Sequence, residues 1–522
     1  MQWKPQAHLL LILFMASAVP VSAQDHDAGM INGRMWTFDQ PPLEYFNVEY
    51  GFVPDDTWLE ETRLAALRFG GGCSASFVSA DGLVMTNYHC GIDAVGKVTR
   101  EGENLLRDGF YATTVEDERR VPDLYVDQLV AMHDVTGEII AAMAPATEAE
   151  QAFAARDKAI NEITQRYSAD GLHCEVVTFY SGARYSAYQY KRYEDVRLVL
   201  STELVFAFFG GIYDFWSYPR YSFDCDFFRV YDNDKPLRTQ HFYPWSRGGA
   251  AEEDAVFVVG NPGRTNRLTT VDVLAYERDK NVPNLVRLIN DRKEVLETWL
   301  RAHPEESDAW FDELFGIVNA QEAYSGRLLG LRDDELMEMR ADFDRTFQHA
   351  LKRNPQEWEQ YGDVWERIRE VTQAQYEIAD DLFALRTGGL GVSTLVTRAT
   401  MLLNWLEQMS RADEDRDERY RGERGRIMGQ TLTGPIGTPM ELERMTLTRQ
   451  LQRMQDLLGD DDAAVRLALA GETAEQAAVR LLSQTILADS VAMQDIVERQ
   501  SLDGVDDVLI HLAGEMQPRF QA

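Results

Sequence analysis

The chain has 522 residues, 45% of them hydrophobic and 11% aromatic, enough apolar material for a large core shared among two or more domains. Its formal net charge is −34, from 52 Lys and Arg against 86 Asp and Glu. A surface that acidic repels nucleic acid and anionic lipid, so neither is expected as a partner.

The N-terminus reads as an export signal. Lys4 supplies a positive start, Leu9 to Ala18 an apolar run too short to span a bilayer, and Val21-Ser22-Ala23 a small-residue cleavage site. Residues 1–23 are therefore expected to be a signal peptide, and the protein to be exported to a periplasmic or extracellular space. No other segment reads as a membrane span. In an oxidising compartment the four cysteines, Cys73, Cys90, Cys174 and Cys225, become candidates for two disulfides, with three connectivities open.

The first strong pattern is CSASFVSADGLVMTNYHC, residues 73–90. Ala80-Asp81-Gly82 is a turn signal between two short strand-like runs. A hairpin that ends in His89-Cys90 would hold an imidazole at a strand end. It also returns Cys90 towards Cys73, which favours that pair as a disulfide. Cys174 with Cys225 is the remainder, and buried free thiols are the alternative.

Further along, Leu124 to Val135 is β-like, and Thr147 with Glu150 offers a capping box for a helix. Arg184 to Tyr193, Phe223 to Tyr231 and Val256 to Gly260 read as further strands, the last ending in the turn cluster Gly260-Asn261-Pro262-Gly263. From about Val271 the period changes to three and four. Trp358, Tyr361, Trp365, Ile368, Val371, Ala374, Ile378, Leu382 and Leu385 predict one amphipathic helix from Trp358 to Leu385. Leu402 to Met409 and Leu467 to Leu487 look similar. Arg411 to Arg426 reads as a solvated mixed-charge run, and Thr431 to Pro439 as a loop. The expected class is α+β: a β-rich half over 24–275, then an α-helical domain over 276–522.

Peptide hydrolysis by serine needs a hydroxyl that attacks, a histidine that takes its proton, and a carboxylate that orients the imidazole. His89 fits the second role; the ordinary alternative is a structural histidine beside a disulfide. Asp224 and Asp226 both fit the third, and alternation puts them on one strand face, so spacing leaves the choice open. No HExxH, paired Cys-x-x-Cys, Walker loop or dinucleotide fingerprint is present, so neither a metal nor a cofactor is expected.

These pieces resemble the bacterial exported serine dipeptidyl-peptidases of the dipeptidyl-peptidase seven and eleven type. Met35-Trp36-Thr37-Phe38 is similar to that family's start motif, GGCSASFVSADGLVMTNYHC to its histidine motif, PRYSFDCDFFRVY to its aspartate motif, and VFVVGNPGRTNR to a further signature block. The resemblance implies a chymotrypsin-like pair of β-barrels with a helical domain inserted between them. It makes His89 the base, selects Asp224 over Asp226, and matches Trp216 and Asn319 to positions that hold the substrate's amino group. It implies peptide substrates and release of N-terminal dipeptides, and it leaves room for a homodimer.

Three departures stand out. Tyr88 replaces a second histidine, Phe215 replaces an amine-binding Asn, and the Gly-Asn-Ser-Gly-Ser-Pro motif that carries the nucleophile is absent. The second barrel is thus expected to be missing from this chain, with the nucleophile beyond Ala522. A non-catalytic exported peptide-binding protein of the same descent is the competing reading. A chymotrypsin-type endopeptidase would follow if Phe215 abolishes amine capture.

Overall fold

The structure, a computed structural model, describes residues 35–207, 221–262, 269–307 and 309–521. Contacts divide the chain into two compact units, residues 1–268 and 269–522. The expected signal peptide lies outside the described residues.

The first unit is built on an antiparallel sheet. Its strands are β1 (Ala66–Phe69), β2 (Cys73–Phe77), β3 (Leu83–Thr86), β4 (Phe110–Tyr111), β5 (Arg119–Arg120), β6 (Val126–Asp134), β7 (His173–Phe179), β8 (Arg184–Tyr193), β9 (Val196–Ser201), β10 (Asp226–Asp232) and β11 (Lys235–Pro236). The order is β4-β9-β10-β3-β2-β1-β6-β8-β7, with β11 on β10 and β5 on β9. Alternation along the strands sends Leu67, Phe69, Phe77, Val84, Leu198 and Phe228 into one core, closed by Ala94, Val95 and Val98 of the Tyr88–Val98 helix. The other wing packs β7 and β8 on helices Thr136–Met143 and Ala149–Tyr167, around Ile139, Ile163 and Tyr185.

Two buried carboxylates in this unit are held by side chains from other elements. Asp127 on β6 stands opposite Arg68 of β1 and Arg192 of β8 in the ladder. It is fully buried and accepts from Arg68 Nη2 at 3.0 Å and from Arg192 Nε at 2.8 Å. The guanidiniums lie over the rings of Tyr190 and Tyr125. Glu118 likewise accepts from Arg229 Nε at 2.9 Å and from the Tyr231 hydroxyl at 2.7 Å.

Three expectations are corrected here. The Ala149–Tyr167 helix is preceded by Glu148 with no side-chain cap, and Thr147 bonds to Gln151 instead of forming a box with Glu150. Val256 to Gly260 forms no strand. Val256 and Val258 face solvent, while Phe257 joins Trp58, Phe46 and Tyr50 in an aromatic cluster that also holds Trp36. Cys174 and Cys225 are free and buried. Cys174 lies on β7 within the helix-packed wing, whereas Cys225 precedes β10, with five strands between β7 and β10 in the ladder order.

The second unit is helical. Its main core gathers Leu395, Ala399, Leu402, Leu451, Leu512 and Met516 from helices Thr394–Met409, Met440–Leu458 and Val508–Gln521. Buried charges here are satisfied by backbone at helix ends. Glu443 accepts from the Ser393 hydroxyl and from Thr394 N and Leu395 N at 3.1 and 3.0 Å, so an internal carboxylate caps that helix. Arg453, 1% exposed, donates to the Gly391 carbonyl at 2.8 Å and to Asp291.

The predicted helix over Trp358–Leu385 is two helices, Pro355–Tyr361 and Val364–Ala384. They part at Gly362, where a Cβ would lie 2.6 Å from the Trp358 carbonyl oxygen. Val371 and Ile378 of the expected stripe are about half exposed, and the buried face of the second helix is Thr372, Ala379 and Phe383. Leu467 to Leu487 is also broken, at Ala470 with φ +50°. A Thr473/Gln476 capping box then restarts the chain as Ala474–Gln484. The 411–426 run forms local pairs such as Arg411 with Glu407 and Arg416 with Asp413.

Candidate active site

The β2–β3 hairpin is closed by residues 79–82. Ser79 Oγ accepts from Asp81 N and Leu83 N at 3.2 and 3.3 Å, and Gly82 adopts φ +69°. A Cβ at Gly82 would lie 3.0 Å from Leu237 and 3.1 Å from the Val230 carbonyl, so the turn demands glycine twice over. β3 then runs through Asn87, in extended conformation, straight into the Tyr88–Val98 helix.

His89 therefore sits on the first turn of a helix, where a strand end was expected. The signal for that helix was available: Tyr88, Gly91, Val95 and Val98 recur at three and four and are all buried. The turn is fastened from below by the Cys73–Cys90 disulfide, with Cα atoms 6.2 Å apart. Beside it, Ser74 Oγ accepts from Asn261 N at 2.7 Å, and a Cβ on Gly260 would lie 2.4 Å from that oxygen. The Gly260-Asn261 signature thus rests against β2 next to Cys73.

Asp224 leads into β10 and reaches this turn. Its carboxylate lies 3.1 and 3.0 Å from His89 Nδ1 and accepts from His89 N at 3.2 Å and from Asn87 Nδ2 at 3.1 Å. It is thus bound both by the imidazole and by the N-terminal end of the helix. Burial alone would raise its pKa. The bonds and charge of His89, with the bond from Asn87, outweigh burial and hold the carboxyl below its ordinary range. The His89 side chain is 43% exposed and that of Asp224 24%. With Nδ1–H directed at the carboxylate, Nε2 is left to accept a proton. Among the described residues no hydroxyl hydrogen-bonds to that nitrogen.

The two candidate carboxylates are thus separated by the structure. Asp224 meets His89, whereas Asp226, two residues on, turns inward and is completely buried. Trp216 and Phe215 lie outside the described residues. Asn319 lies half-buried on the Phe311–Leu331 helix of the second unit. Ligand atoms of Cys73, His89 and Cys90 cluster within 4.8 Å, but both sulfurs are committed to the disulfide, and a metal needs thiolates.

Comparisons with known proteins extend this picture. The Asp/Glu-specific dipeptidyl-peptidase of Flavobacterium psychrophilum is 26% identical over 299 residues, covering 55% of this chain and 42% of that protein. The dipeptidyl-peptidase 7 of Porphyromonas gingivalis is 32% identical over 287 residues, covering 52% and 40%. The chain thus spans about two-fifths of the length of these curated relatives. The crystal structure of Porphyromonas endodontalis DPP11 in complex with the dipeptide Arg-Glu shares the fold, with a TM-score of 0.68 at 19% identity over 88% of this chain and 68% of that one. The peptidase S46 model matches residues 32–522, and on that extent the chain belongs to the peptidase S46 family.

Proposed function

We propose that this chain carries the base and the orienting carboxylate of a serine-type dipeptidyl-peptidase. The observation that carries the reading is the contact of His89 Nδ1 with Asp224 at 3.0 Å, with the opposite ring nitrogen unengaged among the described residues. In this role His89 takes the proton of an attacking serine hydroxyl and returns it to the leaving amine. Asp224 fixes the tautomer and stabilises the imidazolium. The reading requires a serine hydroxyl delivered to Nε2, which the family resemblance assigns to a second barrel. Approach of β10 to β8, which are not ladder neighbours, supports a closed first barrel.

Peptides are the proposed substrates, as the names of the relatives and the dipeptide complexes of the structural neighbour support. Trp216 and Asn319 are proposed to hold the substrate's amino group. Capture of that amine two residues from the cut would release dipeptides. Export is supported by the disulfide, a bond common in oxidising compartments and rare in the cytosol.

The test is direct. The chain, continued along its own reading frame, is assayed for release of dipeptidyl-coumarin, against the same protein carrying His89→Ala. Release that depends on His89 is expected, and equal rates would remove the histidine from the mechanism.

A further inference from the structure

We propose that Asp226 is held as a neutral carboxylic acid beneath the turn that carries His89, as a positioning residue for the His89–Asp224 pair, and that its ionisation unseats that turn. The catalytic consequence rests on the reading of His89 as the base; the structural claim does not.

Asp226 opens β10 opposite Thr86 of β3. Its exposure is 0%, and neither carboxylate oxygen completes a hydrogen bond among the described residues. The carboxyl occupies the space that a side chain at position 91 would need: a Cβ on Gly91 would lie 2.0 Å from Asp226 Oδ2. The first turn of the histidine helix therefore rests on this group, and the bare Cα of Gly91 is what lets it approach. Tyr88 of the same turn is also fully buried, and its hydroxyl is pushed up by burial and then by Asp226.

Among the described residues no group compensates a charge on this carboxyl. From β9 the Ser201 hydroxyl lies beside the carboxyl without completing a well-formed bond to it. From the helix come Tyr88 and Gly91, and from β3 comes Thr86. On its own segment stand Asp224 and Cys225, the latter pushed up to about 12 by burial and by the two carboxylates. Among the described residues the titratable groups that act on or feel Asp226 are Tyr88, Asp224 and Cys225, all acids, and His89 of the same turn is engaged with Asp224. Burial raises the Asp226 pKa, Ser201 offsets part of that rise, and the charge of Asp224 adds to it, to about 8.

A buried carboxylate without a partner is unfavourable, so at neutral pH the group keeps its proton. Above its pKa the proton passes to solvent, leaving two carboxylates two residues apart against one helical turn. Relief requires water or movement of the turn, and either displaces His89 from Asp224.

The experiment uses the full chain with histidines labelled in the ring. His89 signals are assigned from a His89→Gln variant and followed by NMR with rising pH. A step in the His89 signals centred near pH 8 is expected in the native protein and is expected to vanish in Asp226→Asn. No such step, or the same step in the Asn variant, overturns the proposal. Should Asp226→Asn not fold, difference infrared spectroscopy on the native chain between about pH 6 and about pH 10 replaces it. Loss of one protonated-carboxyl band then supports the proposal, and its absence at the lower pH overturns it. Neither readout needs turnover, so an extended protein that released no dipeptide would sink the protease reading and leave this one to its own test.

Discussion

The sheet unit and the helical unit bury charge by different means. In the sheet, Asp127 is gripped by arginines from the strands on either side, and Glu118 by Arg229 and Tyr231. In the helical unit the partners are mostly backbone: Glu443 takes two amides, Asp507 takes Ile486 N, Leu509 N and Ile510 N, and Arg398 donates to the Leu487 and Gly434 carbonyls. Helices have unsatisfied ends to offer and interior strands do not, so the sheet must recruit side chains. Among the described buried charged residues of the first unit, Asp226 stands outside this rule, directly beneath the His89 turn. A departure from an otherwise consistent local rule marks the site.

The contrast can be broken at several points. The largest effect is expected from His89→Ala in the extended protein, a loss of at least ~10⁴-fold in kcat/KM. Thermal stability should hardly change, because that side chain is 43% exposed. Next comes Asp127→Ala, which leaves two arginines without their shared anion. Urea unfolding should show a loss of about 3–5 kcal/mol, and a loss under 1 kcal/mol would mean that the cross-strand arrangement is ornamental.

Asp226→Asn tests the exception, and its sign is opposite to that of Asp224. Because the folded pKa of Asp226 is raised, to about 8, the native state holds a proton that the unfolded chain releases above its ordinary carboxyl range. Its contribution is fully present below that range and is lost as pH climbs to about 8. The Asn variant should therefore gain on the native protein across that window, by roughly 5 kcal/mol. Asp224, with its pKa held low, contributes stability above the ordinary carboxyl range and loses it as pH falls through its folded value. Asp224→Asn should therefore flatten the acid limb of the stability curve. Parallel curves for the two variants would refute the distinction drawn between them.

A smaller change is expected from Glu443→Gln, which keeps the shape of the helix cap but removes its charge. A cost of about 1–3 kcal/mol by denaturant titration is expected. Smallest of all is Asp93→Asn, which breaks the exposed pair with Lys97; its melting temperature should match the parent within error.

Much of this was legible in the sequence because its signals are local. The Asp-Gly turn, the approach of Cys73 to Cys90 and the position of His89 all lie within eighteen consecutive residues. Asp224 could be chosen over Asp226 only by resemblance, since period-two alternation treats them alike. The structure separates them because Asp224 precedes the ladder and turns to the helix end, while Asp226 is already paired to Thr86. The helical stripe over Trp358–Leu385 misled because apolar spacing gives a face but not its covering, and Gly362 breaks the run. Val256 to Gly260 had a strand's composition but joins no ladder, and its Phe257 packs into the aromatic cluster with Trp58 instead. Cys174 and Cys225 were paired by elimination, an argument that ignores where each strand lies.

The link between the start of β2 and the third residue of the histidine helix also has a corollary at the bench. It closes a span of 17 residues, a constraint worth about 3 kcal/mol in chain entropy. Material made in a bacterial cytoplasm and stored with mercaptans would present the imidazole on an untethered turn, and a silent assay from such a batch would measure the preparation. Two reactive sulfhydryls after denaturation, one each from Cys174 and Cys225, is the release criterion that a usable batch should meet.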